Sequence, residues 1–257
     1  MDIKILKTVW HDKLPDLDCP RCRKGIFIFD PKTLVELEDG ISIESNCYEY
    51  DPTYYSGKFS NHAYCSNPKC EETAIIAGLT KYQYAGHNEG GYDFETGQEI
   101  PDHEIHKMVF KIELMSPVIR LIKIPNKLPI KLEDKIFESF KLFWVDKDSC
   151  GNKIRSVIEM LLDYLKIKKS TINKKGNRER LSLHRRILIF QTKEPGLANN
   201  LLAIKWIGNT SSHNQNEAVI DKILDAYSIL EFVLEKLYEN KEKEIIKLTK
   251  NINKQKK

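Results

Sequence analysis

Hydrophobic residues in the first half of the chain occur in short runs that are rich in β-branched and aromatic side chains. Turn-forming segments such as EDG, YDPTYYSG and SNPK separate these runs. Short β-prone runs bounded by turn formers are typical of antiparallel hairpins. We therefore predict strands in GIFIF (25–29), GISIES (40–45), ETAIIAGL (72–79), HKMVFKIELM (106–115) and VIRLIKI (118–124).

Beyond the segment IPNKLP (124–129) the apolar period changes from two to about three and a half, which indicates helices. Three long stripes follow: Ile136, Phe137, Phe140, Phe143 and Trp144; Ile154, Val157, Ile158, Leu161, Leu162 and Leu165; and Val219, Ile223, Ala226, Leu230, Val233 and Leu237. We predict an α+β protein with a β-rich domain at residues 1–125. An all-α helical bundle with a basic C-terminal tail is predicted at residues 126–257.

Two shorter segments between these stripes are also helix candidates. They are RLSLHRRILIF (180–190) and LANNLLAIKWI (197–207), and Pro195 and Gly196 separate them. The polar, basic stretch KKSTINKKGNRER (168–180) is predicted to be a loop. Arg185 and Arg186 fit the basic outer face of an amphipathic helix.

Four of the five cysteines in the first half form two close pairs. Cys19 and Cys22 are separated by two residues, and Cys65 and Cys70 by four. Each pair resembles a zinc knuckle, in which a tight turn directs two thiolates to one tetrahedral cation. We expect these four residues to bind one structural zinc ion in a zinc-ribbon-like domain, because four thiolates leave no open position for water. Two disulfides or free thiols are the alternatives.

Other residues that bind metals elsewhere are expected to have ordinary roles here. His62 lies close to Cys65 in sequence and is an alternative ligand, although a surface position suits it better. Cys47 and Cys150 are interpreted as buried or half-buried thiols. The nearby pair His103 and His106 is interpreted as solvated.

Composition and charge exclude little. The formal net charge of +4 over 257 residues is too small to indicate nucleic-acid binding. After residue 240 there are seven lysines against two glutamates, which we interpret as a solvated terminal helix or a phosphate-tracking tail. No apolar run is long enough to cross a bilayer, and the N-terminus lacks the apolar core of a signal peptide. We therefore expect a cytoplasmic protein without a membrane partner.

The segment LAIKWIGNTSSHNQNE (202–217) concentrates polar residues at a predicted junction between helices. Gly208 and Asn209 resemble a helix C-terminal break, and His213 precedes the next helix. One interpretation is purely structural, with Asn209 as a cap, Ser211 or Ser212 as an N-cap and His213 bound to a helix-end carbonyl.

Residues 130–240 resemble a bacterial family, the domain of unknown function 4145, which is grouped with the HEPN superfamily of helical nucleotide-binding and ribonuclease domains. The features that match in order are ESFKLFW, IRSVIEMLLDYL, LHRRI, IKWIGNTSSH and the long closing helix that ends in KLY. The resemblance implies a HEPN-like bundle that often forms a homodimer. In some members two copies build a metal-independent site that cleaves RNA.

The resemblance suggests a function for the polar junction, that of an endoribonuclease or nuclease-like effector in bacterial antiviral defence or a toxin system. His213 would transfer protons, Asn209 would orient the phosphate or the histidine, and Lys205 would supply positive charge. One alternative is a non-catalytic module that binds RNA, a nucleotide or a protein partner. Another is an assembly subunit whose exposed helix faces form a homodimer. Lysine at position 205 favours the non-catalytic module, because arginine is the better planar fork for phosphate. Arg185 and Arg186 are the other candidates for that arginine in space.

Overall fold

The computed structural model describes residues 3–47, 50–93, 96–100, 102–210, 217–239 and 241–255. The chain is mixed α+β and divides into two compact units, Met1–Ile119 and Arg120–Lys257. The first unit contains a sheet and the second contains the long helices, in the predicted order. The division lies a few residues before the boundary at 125/126 that the sequence suggested.

The first unit is built on an antiparallel sheet in the strand order β1-β2-β4-β5-β8, with β3 paired to β4. Its strands are β1 (Leu17–Asp18), β2 (Ile26–Phe29), β3 (Val35–Glu38), β4 (Ser56–Cys65), β5 (Thr73–Asn88) and β8 (His103–Ser116). Strands β6 (Gly91–Asp93) and β7 (Gln98–Ile100) form a separate small hairpin. In β4 buried and exposed positions alternate, so one face of this strand is directed to the core and the other to solvent.

Two of the five predicted strands are wrong. Residues 40–45 form the helix α1 (Gly40–Ser45), because Asp39 caps it and accepts a hydrogen bond from the backbone N–H of Ser42 at 3.0 Å. Residues 118–124 form no strand, although Ile119, Leu121 and Ile122 are buried. Pro117 lacks the N–H that a continued β-ladder would need, so β8 ends at Ser116.

The second unit contains six helices within its described residues. These are α2 (Ile130–Val145), α3 (Lys147–Tyr164), α4 (Leu183–Gln191), α5 (Pro195–Thr210), α6 (Glu217–Tyr238) and α7 (Lys241–Gln255). Most residues of the predicted stripes are buried, including Ile136, Phe140, Ile154, Leu161, Ile223 and Leu230. Within the described residues, no helix is long and apolar enough to cross a bilayer.

A small polar network lies in the core of this unit. The hydroxyl of Tyr227 donates to Oγ of Ser139 at 2.9 Å and lies 3.2 Å from Sγ of Cys150. Burial raises the pKa of the Cys150 thiol to about 11, so it stays protonated. Cys150 is thus buried as predicted, whereas Cys47 is exposed, contrary to the prediction. The network links α2, α3 and α6, and none of its groups reaches solvent.

The basic segment at 168–180 was predicted to be a loop, but it contains a hairpin. Strands β9 (Ser170–Ile172) and β10 (Arg178–Arg180) pair in antiparallel fashion. The side-chain oxygen of Asn173 accepts hydrogen bonds from the backbone N–H groups of Lys175 and Asn177, both at 3.0 Å. Gly176 adopts φ +79°, which glycine reaches at no steric cost. These local bonds close a turn within a segment whose composition is typical of an irregular loop.

Arg186 does not lie on a basic outer face, in contrast to the prediction. It is 5% exposed and donates hydrogen bonds to Oδ1 of Asp163 at 2.6 Å and to the carbonyls of Glu159 and Ile167. Burial raises the pKa of Asp163, but hydrogen bonds from Lys169 and Arg186 outweigh it and hold that pKa below its ordinary value. Arg186 therefore binds the end of α3 to α4, whereas Arg185 is exposed.

Candidate functional site

The two cysteine pairs lie on neighbouring loops at one edge of the sheet. Cys19 follows β1 directly, and Cys65 is the last residue of β4. Strands β2 and β4 pair with Phe27 opposite Cys65, so the β1–β2 turn and the β4–β5 turn are brought side by side. Cysteines that are separated by 43 and 51 positions in the sequence are therefore brought into contact by strand pairing.

The sulfur atoms of Cys19, Cys22, Cys65 and Cys70 all lie within 4.8 Å of one another. Two of the separations are shorter, with 3.7 Å between Cys19 and Cys70 and 3.5 Å between Cys22 and Cys65. A tetrahedral zinc ion with Zn–S bonds of about 2.3 Å places its sulfurs about 3.8 Å apart. All four cysteines are free thiols, and three are buried. The donor set and its spacing therefore fit a tetrahedral thiolate-bound metal.

The backbone after each pair turns toward the sulfurs. Arg23 and Glu71, which follow the second cysteine of each pair, have φ values of +56° and +54°. This left-handed conformation is uncommon for residues other than glycine. It turns the following amides inward, so that Lys24 and Gly25 donate backbone hydrogen bonds to Cys22. The two knuckles therefore share one local design.

The backbone amides lower the pKa values of the thiols, whereas burial of the site raises them. Backbone hydrogen bonds from Lys24 and Gly25 lower the pKa of Cys22 to about 6. Burial raises the pKa of Cys65 to about 12 and also raises that of Cys70. Several thiolates so close together need a cation to neutralise their charge, because buried like charges repel strongly.

Gly25 is a functional position that the sequence analysis missed. A Cβ atom at this residue would lie 2.6 Å from Sγ of Cys65, 2.8 Å from the backbone nitrogen of Asn67 and 2.9 Å from Oγ of Ser66. The backbone of one knuckle thus contacts the other, where no side chain fits. The one feature of the sequence that points to Gly25 is its position three residues after Cys22.

We expect Gly25→Ala to weaken metal binding and to destabilise the first unit. The methyl group must displace Cys65 or Asn67, and such overpacking costs about 1–3 kcal/mol. Competition with a chromophoric chelator measures the affinity, and thermal unfolding measures the stability. Gly40→Ala is the matched control, because a Cβ there meets nothing within 4 Å. Equal metal affinity in the two variants would contradict this account.

The histidines of the first unit lie outside the cluster. His62, the alternative ligand, is exposed on β4 opposite Ile75, and the described metal-compatible group contains the four cysteines alone. His106 is not solvated as predicted. Its side chain is 11% exposed, and its ring centroid lies 5.9 Å from that of Tyr84.

The helical junction is described only in part. Helix α5 continues through Thr210, so the predicted break at Gly208 and Asn209 is wrong; hydrogen bonding of the helix backbone extends past both residues. The side chain of Asn209 and the whole of His213 lie outside the described residues. The predicted grouping of Lys205, Asn209 and His213 stays a prediction.

The described part of this junction contains an aromatic residue that the sequence analysis did not single out. The ammonium of Lys205 lies 3.8 Å from the ring centroid of Trp206, which is 57% exposed. The ring of His184, on the first turn of α4, lies 6.3 Å from that of Trp206. Its Nδ1 is buried, and it has no hydrogen-bond partner among the described residues. Two helices thus bring a cation, an indole and an imidazole together.

Comparison with known proteins finds two families. Residues 137–255 match the model of the Domain of unknown function (DUF4145), which confirms the resemblance of the C-terminal half to this family. Residues 7–99 match the model of a second Domain of unknown function (DUF8608). Neither the curated proteins nor the solved structures contain a match to this chain.

Proposed function

We propose that this protein is a HEPN-like nuclease or nuclease-like effector that acts on RNA in the cytoplasm, with a structural zinc ion in its first unit. A role in bacterial defence or in a toxin system and assembly as a homodimer belong to the same proposal. The match of residues 137–255 supports the relationship of the helical part to the DUF4145 family, but it names no activity.

Zinc is the metal that the cysteine cluster favours. Four thiolates are soft ligands, and a tetrahedral sulfur set is typical of zinc or of iron–sulfur centres. Each donor comes from a short knuckle, and three of the four cysteines are buried, so a water molecule has no open coordination position. The metal would therefore contribute to folding and not to catalysis. Its expected content in reduced protein is one zinc ion per chain by atomic emission.

The observation that carries the RNA proposal is the exposed indole of Trp206 on α5, with the half-buried Lys205 beside it. A solvent-exposed indole offers a face for stacking an unpaired base, and base–aromatic stacking contributes about 1–3 kcal/mol per base. Lys205 adds positive charge beside it. Asn209 follows Lys205 by about one helical turn on the same helix, so bound RNA would lie next to the junction.

The chemistry expected of this junction needs no metal. A base removes the proton of the RNA 2′-hydroxyl, whose oxygen attacks the adjacent phosphorus, and an acid protonates the leaving 5′-oxygen. In the proposal His213 transfers these protons, Lys205 stabilises the charge of the phosphorane and Asn209 orients the phosphate. The zinc ion plays no part in these steps.

The test is to incubate the purified full chain with single-stranded RNA in buffer without added divalent ions. We expect products that end in a 2′,3′-cyclic phosphate and a 5′-hydroxyl, because the 2′-oxygen is the nucleophile. Single-stranded DNA of the same sequence lacks this oxygen and should stay intact. Equal cleavage of DNA would contradict attack by the 2′-oxygen, and no cleavage of RNA would contradict catalysis.

A non-catalytic binding module is the second candidate. Its support is the cation–π contact between the ammonium of Lys205 and the ring of Trp206. This contact stabilises an aromatic surface for a ligand. This candidate predicts that RNA or a nucleotide binds without product formation, and that binding survives His213→Ala. A protein partner would be its alternative ligand.

A further inference from the structure

The strongest concentration of charge in the chain is the segment that contains the β9–β10 hairpin. Residues 166–185 contain five lysines and three arginines against a single glutamate. The whole chain has a formal net charge of only +4, so the remaining residues are acidic in sum. The low total charge therefore conceals a local basic patch, which we call the basic arm (residues 166–185).

Almost all of this charge is accessible. Residues 174–180 are all exposed, and Ile172 at the end of β9 is 74% exposed. An isolated two-stranded hairpin is marginally stable in water, and neighbouring cations on it repel one another. The short turn at Asn173 holds the arm together at a cost in electrostatic repulsion, which a polyanion would relieve.

The strand register separates the arginines from the glutamate. Arg178 pairs with Ile172 and Arg180 pairs with Ser170, so both arginines lie on one face of the hairpin. Glu179 pairs with Thr171 and lies on the opposite face. The hairpin therefore has one face with cations and no carboxylate of its own.

Ion pairs leave the tip of the arm available. Carboxylates pair with Lys169 at 2.8 Å, with Arg180 at 3.7 Å and with Arg185 at 4.0 Å. Among the described residues, no ion pair involves Lys174, Lys175 or Arg178. Arg178 donates from Nε to Oγ of Ser170 at 2.8 Å, which orients its guanidinium and leaves the terminal nitrogens for a ligand.

The basic arm is followed directly by the helix that contacts the exposed indole of Trp206. Strand β10 ends at Arg180, helix α4 begins at Leu183, and His184 on its first turn contacts the ring of Trp206. A basic surface beside an exposed indole is the combination that single-stranded nucleic acids require, with cations for the phosphates and a ring for a base. An acidic peptide would bind the cations but would not require the indole, and a membrane surface would require a wider apolar face.

We propose that the basic arm binds the phosphate backbone of single-stranded RNA and directs the strand toward Trp206 on α5. This inference deepens the proposed function and rests on it for the identity of the nucleic acid. Contacts to phosphate carry no sequence information, so the arm would contribute affinity for any sequence.

The experiment uses the full chain with His213→Ala, so that RNA stays intact, and a short fluorescein-labelled single-stranded RNA. In this background Lys174→Gln, Lys175→Gln and Arg178→Gln are combined. We expect binding by fluorescence anisotropy to weaken at least about tenfold. The slope of log affinity against log salt should fall by about 2, because each phosphate contact on a single strand contributes about 0.7.

The matched control combines Lys131→Gln, Lys141→Gln and Lys222→Gln, which remove the same charge from exposed sites on α2 and α6. We expect its slope to equal that of the parent and its affinity to stay within about threefold. Equal losses in the two triple variants, or no RNA binding by the parent, would overturn the assignment. Product formation by the wild-type chain is scored separately, so loss of the nuclease proposal is distinguishable from loss of this one.

Discussion

Removal of zinc is expected to unfold the first unit, because the free energy of zinc binding is as large as the free energy of unfolding of a whole domain. Structural zinc sites bind with apparent free energies of about 10–16 kcal/mol, whereas whole domains are stable by about 5–15 kcal/mol. Without the cation, four sulfurs that lie within 4.8 Å of one another would have to stay protonated or repel. The β1–β2 and β4–β5 turns would then separate.

The variant that tests this expectation is Cys70→Ser. Its thiol is buried and lies 3.7 Å from that of Cys19, so its loss opens the metal shell. We expect the bound zinc to fall well below one ion per chain and the sheet signal in circular dichroism to disappear at a lower temperature. Cys47→Ser is the matched control, because Cys47 is exposed and lies outside the cluster. Identical zinc content in the two variants, or little zinc in the reduced wild type, would contradict a structural zinc site.

Substitution of His213→Ala is expected to reduce RNA cleavage roughly 10²–10⁴-fold, which is the usual contribution of a positioned acid or base. Histidine suits both proton transfers, because its pKa lies near neutral pH. The variant should bind RNA as the wild type does, since binding rests on Lys205, Trp206 and the basic arm. Cleavage rates under single-turnover conditions separate the chemical step from binding.

His184→Ala is the informative control for this measurement. His184 is the histidine beside Trp206, and its buried Nδ1 makes it the alternative acid or base. We expect the rate of cleavage to stay within about tenfold of the wild type, because the proposal gives this ring a packing role. A large loss with His184→Ala and none with His213→Ala would move the catalytic role to α4.

Periodicity predicted the helical unit well, because each amphipathic helix repeats its own signal over several turns. The stripes around Phe140, Leu161 and Leu230 are buried as expected. Short segments were harder to predict. In GISIES (40–45) a single cap at Asp39 outweighs β-propensity, and at 168–180 one asparagine and one glycine close a hairpin. In such segments one local hydrogen bond decides the conformation that composition leaves open.

Local spacing along the chain predicted the clustering of the four cysteines and the order of sheet and helices, because both are expressed over short stretches of sequence. The folded chain alone shows that Gly25 must stay without a side chain, that Arg186 is buried and that Lys205, Trp206 and His184 lie together. These features join residues from different elements, and their positions depend on strand pairing and helix packing. No spacing along the chain encodes such contacts.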